Sequence, residues 1–226
     1  EGKDLFVEDD NVYMKTVKGP LKVDCIYRRL DDSFLDPKVF NKDSLIGVPG
    51  LFKCWLKKNV GILNAIGTGV ADDKVVYSYV NRMITYYLGE QPLLNQVETY
   101  LCHEEDQKKY VLENLSKLVV KPANASGGYG LMIGPKAPKK EIEEVRQKIL
   151  KNPREFIAQP LEVLSTGPTI TNNNIEPRHV DLRPFVLTGK SNYVTSGGLT
   201  RVALRKGSTI VNSSQGGGSK DTLIVG

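Results

Sequence analysis

The chain has 226 residues, 40% of them hydrophobic and 25% charged, with a formal net charge of +5. That length can bury a substantial core in one large domain or two small ones, and a mean hydropathy of −0.28 belongs to an ordinary globular protein. The positive balance suits an anionic ligand but is too small and dispersed to indicate nucleic acid. Its short groups, Lys57-Lys58, Lys108-Lys109 and Lys139-Lys140, fall mostly in helical patterns and read as solvated faces. Cys25, Cys54 and Cys102 lack zinc spacing and read as reduced thiols of a cytoplasmic protein. No apolar run approaches a membrane span and no signal-peptide pattern opens the chain, so neither membrane nor nucleic acid is an expected partner. The chain begins Glu1-Gly2-Lys3-Asp4 without a methionine, which reads as a fragment lacking an N-terminal segment.

In chain order, Leu5–Val7, Val12–Val17 and Val23–Tyr27 read as short strands joined by polar turns. Pro49–Asn59 reads as a helix with Leu51, Phe52, Trp55 and Leu56 on one face. Asn64–Val70 is a glycine-punctuated loop. A helix capped by Asp72 or Asp73 follows, with Val76, Tyr79, Val80, Met83 and Tyr87 as an expected core stripe. Gln91-Pro92 ends it, and His103–Leu115 reads as the next helix. A strand ending in Lys121-Pro122, a glycine loop and the strand Leu131–Gly134 come next. Pro138 opens a charged amphipathic helix that stops at Asn152-Pro153. Phe156–Gln159 reads as a strand, Ser165–Pro177 as an exposed polar excursion, and His179–Leu187 and Leu199–Arg205 as strands. Gly216-Gly217-Gly218 forms a second flexible loop. Strands mixed with helices indicate an α+β or α/β class.

The most informative run is Leu118-Val119-Val120-Lys121-Pro122-Ala123-Asn124-Ala125-Ser126-Gly127-Gly128-Tyr129-Gly130. Glycines let backbone N–H groups approach phosphate oxygens, and a lysine at the loop's edge adds a point charge. A plain hairpin with a solvated edge lysine fits the same residues. The run is neither a P-loop, since no Gly-Lys-Ser/Thr closes it, nor a dinucleotide fingerprint, since no helix follows at once. Other charged residues carry two readings as well. Lys74 pairs with Asp72 or Glu90, or meets a ligand; Arg28-Arg29 is a solvated pair or an anion clamp; Asp181 and Arg183 are a structural ion pair or part of a site. His179 and His103 read as structural.

The order of these motifs resembles the circularly permuted ATP-grasp family, related to glutathione synthetase and glutathionylspermidine synthetase. The resemblance rests on Asp24–Arg29, Asn64–Lys74, Val119–Pro122, Arg178–Phe185 and Asn212–Asp221, and it covers nearly the whole chain. It implies an α+β, ATP-grasp-like fold, circularly permuted, with mixed or antiparallel sheets and a flexible glycine-rich lid. The implied divisions are 1–90 for the central part, 91–162 for the lid subdomain, and 163–226 for a C-terminal catalytic sheet with the second glycine loop.

The resemblance also implies roles. Lys74 and Lys121 match two phosphate lysines, and Gly127, Gly128 and Gly130 the flap over the phosphates. Gln159, Leu161 and Glu162 match the hinge that meets adenine and ribose. Arg201 matches an arginine facing the reacting carboxylate, with Arg28 and Arg183 as further carboxylate or phosphate binders. The implied activity is that of an ATP-dependent carboxylate–amine ligase working through an acyl phosphate, with ATP and Mg²⁺ as cofactors and carboxylate and amine small molecules or peptides as substrates. The alternative is a nucleotide- or peptide-binding module of the same fold without catalysis. No metal ligand is assigned, because the family's paired acidic motif is expected in a segment before this chain begins; Asp181, Glu162 and Asp221 are the acidic residues nearest the expected site.

Overall fold

The structure, a computed structural model, describes residues 2–125, 129–171, 173–212 and 216–223. The chain divides into two compact units, residues 1–77 and 78–226.

The first unit opens with an antiparallel meander of β1 (Leu5–Glu8), β2 (Asn11–Thr16) and β3 (Gly19–Lys22). Asp9 and Asp10 join β1 to β2 with φ of 46° and 59°, the left-handed pair that a two-residue hairpin loop requires. Next come β4 (Cys25–Tyr27), α1 (Asp32–Leu35), α2 (Leu51–Leu56) and β5 (Gly61–Leu63), with β4 and β5 paired in parallel. Val12, Leu35, Val48, Leu51, Cys54, Val60 and Ile62 form the core beneath them. Asp36 is fully buried there and accepts hydrogen bonds from the N–H groups of Lys38, Gly50 and Phe52, tying the chain after α1 to the start of α2. Burial raises the Cys54 thiol pKa.

The helix α3 (Lys74–Leu88) runs across the boundary between the units. Asp73 caps it, its Oδ1 accepting from the Val75 N–H at 2.8 Å. The expected core stripe is not one. Val75 is the buried residue of this helix, while Val80, Met83 and Tyr87 are exposed. A 3.6-residue apolar period marks a helix face without identifying what covers it.

The second unit contains β6 (Tyr100–Leu101), α4 (Glu105–Asn114), β7 (Leu118–Pro122), β8 (Met132–Ile133), α5 (Lys139–Lys151) and β9 (Phe156–Pro160). Their strands form an antiparallel sheet in the order β6-β9-β7-β8. Leu118, Val120, Met132 and Ala158 pack on one face of it against Val111 and Leu115 of the α4 segment and Val145 and Ile149 of α5. Cys102 lies in this core, and burial pushes its thiol up to about 12.

A second antiparallel sheet follows in the order β10 (Thr166–Thr171), β11 (Asn174–Thr188), β12 (Asn192–Val202) and β13 (Gly218–Leu223). The expected excursion at 165–177 is therefore a paired hairpin, running from Thr166↔His179 to Thr171↔Asn174. Asn173 has a φ of 63°, so the asparagine run supplies turn chemistry between strands.

Candidate functional site

Strand alternation divides the four-stranded sheet of the second unit into a core face and a cleft face. With Leu118 and Val120 in the core, Val119 and Lys121 take the other side. Gln159 on β9 lies opposite Val119, which lies opposite Ile133 on β8. This row lines a cleft of about 280 Å³, with Val97, Leu131, Leu161, Glu162 and Thr209 also on its wall. Lys121 sits diagonally from Gln159, and its Nζ donates to Gln159 Oε1 at 2.5 Å. Gln159 Nε2 donates to Thr99 Oγ1 at 2.8 Å, and the Thr99 hydroxyl donates to the Val97 carbonyl at 3.0 Å.

Lys121, Gln159, Leu161 and Glu162 thus meet at one cleft. Gln159 contributes its side-chain amide there, while its backbone lies in the β9–β7 pairing. Gly130 adopts φ 71°, and a Cβ added to it would stand 2.9 Å from Pro122 Cγ, so the position requires glycine on two counts. Gly127 and Gly128 lie outside the described residues. Thr99, Val97 and Thr209 were not singled out from sequence. Thr99 precedes the two-residue strand β6, a span too short to carry a period-2 signal.

Arg201 and Arg183 lie on the second sheet. Arg201 on β12 is registered between Asp181 on β11 and Ser219 on β13, and its Nη1 donates to Asn212 Oδ1 at 3.3 Å. Arg183 donates to Asp181 Oδ2 through Nε at 3.1 Å and Nη2 at 2.7 Å. Asp181 Oδ1 is buried with no hydrogen-bond partner among the described residues. His179 Nδ1 lies 2.8 Å from the Leu164 carbonyl oxygen, a contact that ties the chain ahead of β10 to β11. Arg178 is buried, with its donors directed to the Leu204 and Pro177 carbonyls, Glu176 and Thr171. The Arg178 guanidinium, by hydrogen bonding and then by its charge, holds Glu176 below the ordinary carboxylate value.

In the first unit Arg28 has a different occupation from the carboxylate binding expected of it. It is buried, and its guanidinium donates to the carbonyls of Asn64 at 2.5 Å, Leu30 at 2.5 Å and Ala65 at 2.8 Å while pairing with Asp32. Those contacts splice the loop after β5 to the segment after β4. A polar cleft of about 350 Å³ opens beside this clamp, lined by Arg29, Asp31, Asn64 and Asp72 among others. Lys74 begins α3, and burial lowers its ammonium pKa while neighbouring Asp73 opposes the shift.

An apolar floor with one ammonium and one carboxylate on its lining suits a nucleotide. An apolar surface can take a base, a carboxylate can accept from hydroxyls, and an ammonium can face phosphates. A divalent metal is not matched in the same way. Among the described residues no group of three or more His, Cys, Asp or Glu side chains is placed to hold an ion.

Comparison with known proteins agrees with this topology. The description "Circularly permuted ATP-grasp type 2" fits residues 1–203, a span that includes Lys74, Lys121, Gln159 and Arg201 and ends before the Asn212–Asp221 run. An uncharacterized protein of Synechocystis is 56% identical over the whole chain, which covers 47% of that protein. An uncharacterized Mycobacterium tuberculosis protein is 53% identical, again over the whole chain and 41% of its own length. A Frankia casuarinae protein named "Putative glutamate--cysteine ligase 2-2" is 50% identical over 99% of the chain and 26% of its own length. The chain spans less than half of these relatives. Its sequence, matched from residue 1 to 203, belongs to the circularly permuted ATP-grasp type 2 family.

Proposed function

We propose that this chain carries the nucleotide-binding lid and adjoining sheet of an ATP-dependent carboxylate–amine ligase. The observation that supports this most is the convergence of Lys121, Gln159, Leu161 and Glu162 on one cleft of the second unit. In this reading Lys121 meets nucleotide phosphate oxygens, the apolar floor takes the adenine, and Glu162 accepts from ribose hydroxyls. Gly127, Gly128 and Gly130 are read as the flap over the phosphates, and Lys74 is kept as a candidate phosphate lysine of the first unit.

The reaction transfers the γ-phosphoryl group of ATP to a substrate carboxylate oxygen, giving an acyl phosphate and ADP. An amine then attacks the acyl carbon, phosphate leaves, the amine gives up a proton and an amide forms. Such chemistry depends on positioning and charge stabilisation, so it requires no side-chain nucleophile. Arg201 is the proposed partner of the reacting carboxylate, and Arg183 a subsidiary one through Asp181. The Frankia relative's name is compatible with amino-acid substrates, although this chain matches only 26% of that protein. Mg²⁺ would supply charge neutralisation in such a reaction. The described acidic residues do not compose a site for it, so no step is assigned through a metal.

The test is ADP binding by the full chain, measured calorimetrically, with Lys121→Ala as the decisive variant. Loss of a charge-assisted hydrogen bond to phosphate is expected to weaken ADP by about 10–100-fold. Unchanged affinity would remove Lys121 from the phosphate site. A second reading, nucleotide binding without turnover, is favoured by the lack of a metal-binding group among the described residues. ADP binding without ADP release from ATP, across mixed amino acids and Mg²⁺ in the longer natural protein, would select it.

A further inference from the structure

The contacts behind the cleft have a fixed polarity. An ammonium only donates, so the Gln159 amide must turn its oxygen to Lys121 and its nitrogen to Thr99. Thr99 receives that N–H and passes its own proton to the Val97 carbonyl. Every group is used in the one sense its neighbours permit, and reversing the amide would oppose two donors at Lys121. Gln159 is buried, which makes such a mismatch costly. The register explains the line-up. Tyr100 pairs with Ala158, so Thr99 comes opposite Gln159 at the sheet edge, while Lys121 is its diagonal neighbour on β7.

We propose that Gln159 and Thr99 are positioning residues, which hold the Lys121 ammonium at the cleft for a nucleotide phosphate without cancelling its charge. This inference rests on the nucleotide reading above. A carboxylate at position 159 would grip the lysine more strongly but would neutralise it before phosphate arrived. A neutral amide orients the cation without adding a countercharge of its own. Thr99 acts one bond further back, by fixing which end of the amide faces Lys121.

Titrating the full chain with ADP and, separately, with adenosine tests the assignment, because adenosine carries no phosphate. Gln159→Glu is expected to weaken ADP by about tenfold or more, approaching Lys121→Ala, and to weaken adenosine by clearly less. Thr99→Val should weaken ADP by about three- to tenfold, the scale of one neutral hydrogen bond, and Thr99→Ser should restore it. A purely structural role would lower ADP and adenosine affinity together, and that result overturns the proposal. So does wild-type ADP affinity in both Gln159→Glu and Thr99→Val while Lys121→Ala is impaired, which leaves the nucleotide reading standing. If Lys121→Ala itself binds ADP like the wild type, the nucleotide reading fails and the positioning role falls with it.

Discussion

Lys74 shows what burial does to a cation at the start of a helix. It opens α3, where the helix's positive end already disfavours a cation, and burial disfavours the charged form further. Its folded pKa is lowered from 10.5, so between the lowered value and 10.5 the unfolded chain holds more protons than the folded one. Stability from this group therefore rises with pH through that window. Lys74→Met is expected to be at least as stable as the wild type at pH 7 in urea denaturation, with the gap narrowing toward pH 10. A gap independent of pH would contradict the burial account. The same substitution should weaken ADP if the lysine serves phosphate. Single residues differed in how far sequence could place them. Lys121 could be placed near the end of an apolar strand because Leu118, Val119 and Val120 lead directly into it, and β7 runs over those residues. Arg28 could not be placed in the same way, because its carbonyl partners at Asn64 and Ala65 lie 36 and 37 positions away and only the β4–β5 pairing reveals them.

Individual elements show where periodicity suffices and where it fails. The amphipathic helix beginning after Pro138 matched its pattern, burying Val145 and Ile149 as an apolar stripe against β8 and its neighbours demands. The hairpin of β10 and β11 was missed because the polar run reads as a loop, when Thr171 pairs with Asn174 and Asn173 takes the left-handed turn conformation. The two-residue β6 left no pattern at all. The short α2 depends on a buried anion more than on its own propensity. Six residues are marginal as a helix, and Asp36 satisfies the N–H groups of Gly50 and Phe52 at its start. Asp36→Ala should destabilise the first unit by about 3 kcal/mol or more, since several buried donors lose one acceptor. Trp55, the single tryptophan, packs against the same core, so its fluorescence during urea unfolding reports the change. A loss below about 1 kcal/mol would mean that water replaces the carboxylate.

For the molecule as a whole, five motifs in a fixed order identified the family where any one of them was weak. A circular permutation keeps the spatial arrangement of elements but changes the order in which the chain visits them, so the motif order itself marks the permuted family. The same relatives are more than twice as long as this chain. Nucleotide binding has a global consequence even so. ADP at a hundred times its dissociation constant would stabilise the folded chain by about 2.7 kcal/mol. For a protein of this size that corresponds to a rise of about 5–10 °C in the melting temperature, absent in Lys121→Ala. Hydrogen exchange should slow most along β7 and β9; no slowing there with ADP, or an equal melting shift in the variant, would place the ligand elsewhere.

The contact between Gly130 and Pro122 has a mechanical side. These residues bracket the stretch between β7 and β8 and bring its two feet together, while Val120 pairs with Met132 just beyond them. A change in the number or kind of residues at 124–128 is therefore taken up outside the strand register that places Lys121. Replacing Gly130 would strain the backbone where that stretch rejoins β8, and the strain would reach the register that holds the cation at its base.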